Sequence, residues 1–168
     1  MSSDAPKYFG KYRGVVVNIL DPERRARLQA VVPDVFGTEP SSWALPAVPF
    51  AGPRSGFIGL PAVGAGVWIE FEQGNPDYPI WTGCWWGNQS ELPPVVLPNA
   101  GTVDQIAIVT TGGHSVLITD VPGPTGGIAL RTGAAHISIT DAGIVIDNGQ
   151  GASITLSGNI VHVTGVMA

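Results

Sequence analysis

From residue 116 to residue 164 the chain repeats one small pattern, a short run in which apolar and polar side chains alternate, followed by a turn. The runs are 116–119, 128–131, 137–140, 144–147, 154–157 and 161–164. A period of two is that of a half-buried strand. Pro122-Gly123, Thr132-Gly133, Asp141-Ala142-Gly143, Asn148-Gly149 and Ser157-Gly158-Asn159 supply the turns. Each strand offers only two apolar side chains on one face: Val116 and Ile118, Ile128 and Leu130, Ile137 and Ile139, Ile144 and Ile146, Ile154 and Leu156, Val161 and Val163. So narrow a stripe hides too little surface in one chain to offset the ordering of its backbone. The spacing, roughly seven to twelve residues, is also too irregular for a solenoid built by a single chain. Three copies around a common axis seal each stripe with two others and satisfy the strand ladders. The expected fold of this half is therefore an intertwined trimeric β-helix or β-prism, with those side chains as the trimer core.

Composition extends the all-β reading to the whole chain. The 23 Gly, 15 Pro and scattered Val, Ile and Thr runs leave no stretch but 21–27 able to hold more than a turn or two of helix. With 168 residues and 44% hydrophobic content, one or two small domains can bury a core. Charged residues are only 12% of the chain, with a net charge of −5, which argues against a nucleic-acid partner. Seven of the eight basic residues lie in the first third, whereas beyond Gly101 Arg131 stands alone against Asp104, Asp120, Asp141 and Asp147. Cys84, the single cysteine, excludes an intramolecular disulfide; beside Trp85 in a predicted strand it reads as a small buried hydrophobe. The N-terminal residues hold no apolar signal core, so synthesis in the cytoplasm without a signal peptide is expected.

The first half is organised by the segment 60–87. Val67, Ile69 and Phe71 alternate with Trp68, Glu70 and Glu72, the turn formers 73–79 follow, and the run 80–86 returns along the first strand. Upstream, 14–20 and 28–32 read as strands, with 21–25 a charged turn between them and 34–42 a surface loop. The stretch 43–48, broken by Pro46, reads as an edge strand or an irregular packed segment. About five strands in roughly 75 residues is the size of an OB-type Greek-key barrel. The prolines in 91–99 mark a stiff linker. The expected domains are an N-terminal arm (1–10), an OB-fold domain (11–90), a proline-rich linker (91–105) and a trimeric spike (106–168).

These residues resemble a known family. Gly14-Val15, Asp21-Pro22, the run 25–28, Trp43-Ala44, Leu60-Pro61, Val63-Gly64, the strand 67–72 and the turn 74–79 running on to Gly83 look like the baseplate-V/Vgr OB-fold module of contractile injection machines. The spacing of Pro61, Val63, Gly64, Val67, Phe71, Glu72, Gly74, Pro76 and Pro79 is its most specific element. The resemblance covers about half the chain, from Lys11 to Gly87. It implies a homotrimeric central spike of a phage tail, type VI secretion system or extracellular contractile particle. It also implies a baseplate hub protein at the OB end, a PAAR-type tip protein at the C-terminal end and a target cell envelope to be pierced. The absence of an inserted lysozyme-like domain and of a long N-terminal hub region is similar to the short spike version, with the hub a separate protein. Some related spikes end in an iron-holding His-X-His pair; here His162 stands between Val161 and Val163 without a second histidine. The closing residues Val166-Met167-Ala168 suggest a blunt apolar end.

Residue sets for catalysis are absent. Gly52-Pro53-Arg54-Ser55-Gly56 has the wrong spacing for a nucleophile elbow, and Gly64-Ala65-Gly66 lacks the third glycine and the helix of a dinucleotide site. Glu70 and Glu72 share a predicted strand face and read as solvated residues rather than an acid/base pair across a cleft. No enzyme activity and no cofactor are expected. Threefold symmetry would multiply His114, His136 and His162, which leaves His162 the one weak metal candidate. Trp68, Trp81 and Trp85 are expected on the outer faces of the hairpin, where they either stack bases or sugars or lie between protomers. The alternative function is thus a nucleic-acid or glycan-binding OB module. Arg24, Arg25 and Arg27 are either a solvated turn or a contact to the hub.

Overall fold

A computed structural model describes residues 6–165, and the chain divides into two compact units, 1–88 and 89–168. The beginning of the expected arm and the expected blunt end at 166–168 lie outside the described residues.

The first unit contains β1 (Tyr12–Asn18), β2 (Gln29–Val31), α1 (Pro33–Phe36), β3 (Leu45–Pro46), β4 (Ala51–Gly52), β5 (Ser55–Gly56), β6 (Gly66–Phe71) and β7 (Pro79–Trp85). Five of these strands form a curled sheet in the order β2-β1-β6-β7-β3, antiparallel except for the parallel pair β3 and β7. A bridge draws its two edges together: Ala44 N donates to Leu28 O at 2.8 Å, and Leu28 N to Ala44 O at 3.3 Å. Inside the curl Val16, Leu28, Ala30, Val32, Ala44, Val67, Ile69, Phe71 and Trp81 make one buried cluster. Val67, Ile69 and Phe71 are the alternate residues of β6, which faces the core as its period of two requires.

The stretch 21–27 is a turn, as its charged residues suggested, with Arg24 and Ala26 at left-handed φ values of 53° and 59°. Among the described residues the α-turn lies at α1, which runs into the expected loop; Pro33 suits the first helical position and Gly37 follows at φ 62°. In β1, Gly14 and Val16 face inward while Val15 and Val17 are exposed, although the outward set is the more apolar. Gly14 lies close to the core: a Cβ there would stand 3.1 Å from Ile69 Cγ1 and 3.3 Å from Ala30 Cβ, so a bare position suits the close approach of β1. Tyr8, placed by sequence in a loose arm, packs against Tyr12 and Phe71 with ring centroids 6.0 Å apart in each case, and its N–H donates to Gly74 O.

The second unit begins with two short 3-10 turns, Gln89–Glu91 and Leu97–Asn99. Then come β8 (Gln105–Val109), β9 (Ser115–Thr119), β10 (Gly127–Thr132), β11 (Ala135–Thr140), β12 (Gly143–Asp147), β13 (Ser153–Ser157) and β14 (Ile160–Thr164). They form a single antiparallel meander in which each strand pairs with its sequence neighbours. The proline-rich stretch before β8 is folded onto this unit: Val96 is buried, and its carbonyl accepts a hydrogen bond from Gln105 Nε2 at 3.0 Å. Each inner strand therefore finds both its partners within one chain, with β8 and β14 at the edges of the sheet.

Candidate functional site

The decisive arrangement lies on the meander. Ile106, Ile118, Ile128, Ile139, Ile144, Leu156 and Val161 stand opposite one another strand by strand, and so do Ile108, Val116, Leu130, Ile137, Ile146, Ile154 and Val163. These are two parallel files of Ile, Leu and Val on one face, without a charge or a hydroxyl among them. Every one is exposed, from 36% at Val116 to 66% at Ile106. A monomer does not hold a face of this extent in water, so it marks an interaction surface. The twelve trimer-core candidates all lie in these files. Ile106 and Ile108 of β8 belong there too; sequence reasoning put them within the spike but named no strand before 116. The alternation Ile106-Ala107-Ile108-Val109 was the available signal.

The opposite face carries Arg131, His136 and Asp147 side by side across β10, β11 and β12. His162 stands there as well, opposite Thr155. His114 Nδ1 lies 2.8 Å from Thr132 Oγ1. Among the described residues no group of three His, Cys, Asp or Glu side chains comes together as a metal site would need.

On the OB unit the tryptophans sort differently from expectation. Trp81 is buried in the core, its Nε1 donating to Ala26 O. A bulge decides this: Trp68 pairs with Gly83 but Ile69 with Trp81, so Thr82 is an extra residue that reverses the parity of β7. Trp68 and Trp85 lie 6.3 Å apart, and the Arg13 guanidinium sits over both rings at 5.7 and 5.1 Å. The chain's own cation thus occupies ring faces that a base or sugar would need. Cys84, expected to be buried, is exposed on this far side of the bulge, although neighbouring atoms desolvate its sulfur enough to raise the thiol pKa.

The charged groups are explained locally. Lys11 Nζ binds Glu70 Oε1 at 2.6 Å and Thr82 Oγ1 at 2.9 Å, while Glu72 leaves the strand to begin a 3-10 turn. Arg27 donates to Asp21 Oδ1 through Nη2 at 2.6 Å and through Nε at 3.1 Å, and its guanidinium lies over Trp43. Arg25 reaches Glu23 at 3.2 Å. Arg27 is therefore a structural residue of the turn.

Two family matches coincide with these units. Residues 12–86 match the type VI secretion system/phage-baseplate injector OB domain, and residues 105–167 match the phage baseplate V C-terminal trimerisation domain. The chain belongs to the baseplate-V/Vgr family of spike proteins. The second match assigns trimerisation to the very strands that carry the two apolar files. A relative is the actin cross-linking toxin VgrG1 of Vibrio cholerae serotype O1, 40% identical over 67 residues. That alignment covers 39% of this chain and 6% of the toxin, so the chain spans a small fraction of that relative's length. Both matched families are domains of type VI secretion and phage-baseplate machinery.

Proposed function

We propose that three copies of this chain form the central spike of a contractile injection machine, which plugs the tube and breaches the target envelope when the sheath contracts. The observation that carries this reading is the pair of apolar files, exposed along a sheet whose strands pair with their neighbours in the same chain. Three such walls turned inward bury all three faces at once and make a stiff prism. The strands lie across the prism axis, and compression along that axis meets stacked hydrogen-bonded strands. The OB unit is the end that meets a separate hub protein, and the C-terminal end carries a PAAR-type tip protein. The chain is made in the cytoplasm and assembled into a phage tail or tail-like particle. Cofactors and catalysis have no part in this function. A nucleic-acid or glycan-binding OB module is the poorer reading, because Trp81 is internal and Arg13 covers Trp68 and Trp85. Native mass spectrometry of the purified chain tests the proposal: a trimer is expected, and a monomer at micromolar concentration removes it.

A further inference from the structure

The ribbon of β4 and β5 stands apart from the five-stranded sheet of its unit. Its strands pair only Ala51 with Gly56 and Gly52 with Ser55, and Phe57 N donates to Phe50 O at 3.1 Å. A two-stranded ribbon of this length is not stable in water by its own hydrogen bonds. It nevertheless presents Phe50, Phe57 and Ile58 to solvent, Ile58 at 70% exposure. Beside it lies a concavity of about 470 Å³ whose lining includes Ala47, Val48, Pro49, Phe57 and Trp81. Across 47–60 the only charged residue is Arg54, at the turn. The first unit thus carries an apolar projection, at Phe50 and Ile58, and beside it an apolar hollow to which the ribbon itself contributes only Phe57.

A ring of three identical units closes through heterologous contacts, in which one patch of a copy meets a different patch of the next. The OB unit has both halves of such a contact. Its continuity with the trimerisation domain supplies the remaining condition: once the second units have joined, three OB units are tethered at an effective concentration on the order of millimolar. An apolar contact too small to pair free domains is then sufficient. We propose that the β4–β5 ribbon of each copy, led by Phe50 and Ile58, seats in the hollow beside Ala47, Val48 and Pro49 of the neighbouring copy. This inference rests on the trimer reading above.

The test uses the full chain with Cys84→Ser, into which Ile58→Cys, Ala47→Cys or, as an exposed control, Thr38→Cys is introduced. Each variant is checked by native mass and then reacted with a small thiol reagent, with no hub protein present. The expected result is a trimer in which the thiols at 58 and 47 react at least about tenfold more slowly than the one at 38, as burial in a stable contact requires. A trimer whose three variants react at equal rates overturns the OB contact, leaves the trimer intact and assigns the ribbon to another protein. A monomer overturns the trimer reading and this contact with it. Ala47→Cys on the hollow keeps the outcome readable should Ile58→Cys perturb the ribbon.

Discussion

Arg27 Nη2 lies 2.6 Å from Asp21 Oδ1 with both side chains almost completely covered, and this pair organises the whole connection between β1 and β2. Asp21 also accepts the backbone N–H groups of Glu23, Arg25 and Arg27, which lets Arg24 and Ala26 hold left-handed conformations. A fold that keeps a carboxylate so fully bonded depends on its charge.

Acid stability follows. The Arg27 hydrogen bond, with help from the backbone donors and against the effect of desolvation, holds the Asp21 carboxyl far below the usual carboxylate range, and Arg27 is raised in return. A carboxyl whose folded pKa is depressed contributes stability that is present above its unfolded pKa, about 4, and is lost as pH falls through the folded value. Chemical denaturation of the OB unit's tryptophan signal at pH 7, 4 and 3 is expected to show a steeper loss below pH 4 in the native chain than in Asp21→Asn. The variant is expected to be less stable at pH 7. Parallel curves would show that the pair does not couple to folding.

The apolar files predict assembly mutants. Ile137→Ala removes a side chain that the proposed trimer would bury and is expected to cost about 2–4 kcal/mol per chain. Ile137→Asp, which would bury a charge without a partner, is expected to abolish the trimer. Ser138→Asp, one residue on and on the opposite face, is expected to leave it whole. Sedimentation of the three variants decides the matter, and equal behaviour of the two aspartates contradicts the facing of the sheet.

Gly66 is expected to tolerate no side chain. A Cβ there would stand 2.7 Å from Trp85 Cε2 and 2.9 Å from Trp85 O, so Gly66→Ala must displace the ring or the strand. The expected penalty is about 1–3 kcal/mol. A shift in tryptophan emission, with the Arg13 contact broken, is the accompanying readout; an unchanged spectrum and melting temperature would falsify the close packing.

Arg13→Met tests whether the ring faces serve the fold or a ligand. Loss of the cation over Trp68 and Trp85 is expected to destabilise the unit by about 1 kcal/mol. Titration of the native chain with a single-stranded oligonucleotide at low salt is expected to give no saturable change in fluorescence. Salt-dependent saturation restores the binding-module reading.

Much of this molecule is legible in its residues. Period-two alternation identifies β6 through Val67, Ile69 and Phe71, and β9 to β14 through their paired apolar residues, because strand geometry ties alternation directly to facing. The family was legible in the turn and glycine spacing of 60–87. Parity failed where it met an irregularity: the extra residue Thr82 turned Trp81 inward. A one-residue change reverses every side chain beyond it, and a bulge leaves no mark in composition.

The sequence by itself determined that the chain is β throughout and that its second half carries two apolar side chains per strand. Those properties depend on turn residues and on a local period. Only the tertiary structure decided that the strands pair within one chain, that fourteen apolar side chains align into two exposed files, and that the ribbon at Phe50 and Ile58 stands uncovered beside its hollow. Register and exposure are relations between distant residues, set by which strands meet and with what offset, and no single stretch of chain holds that information.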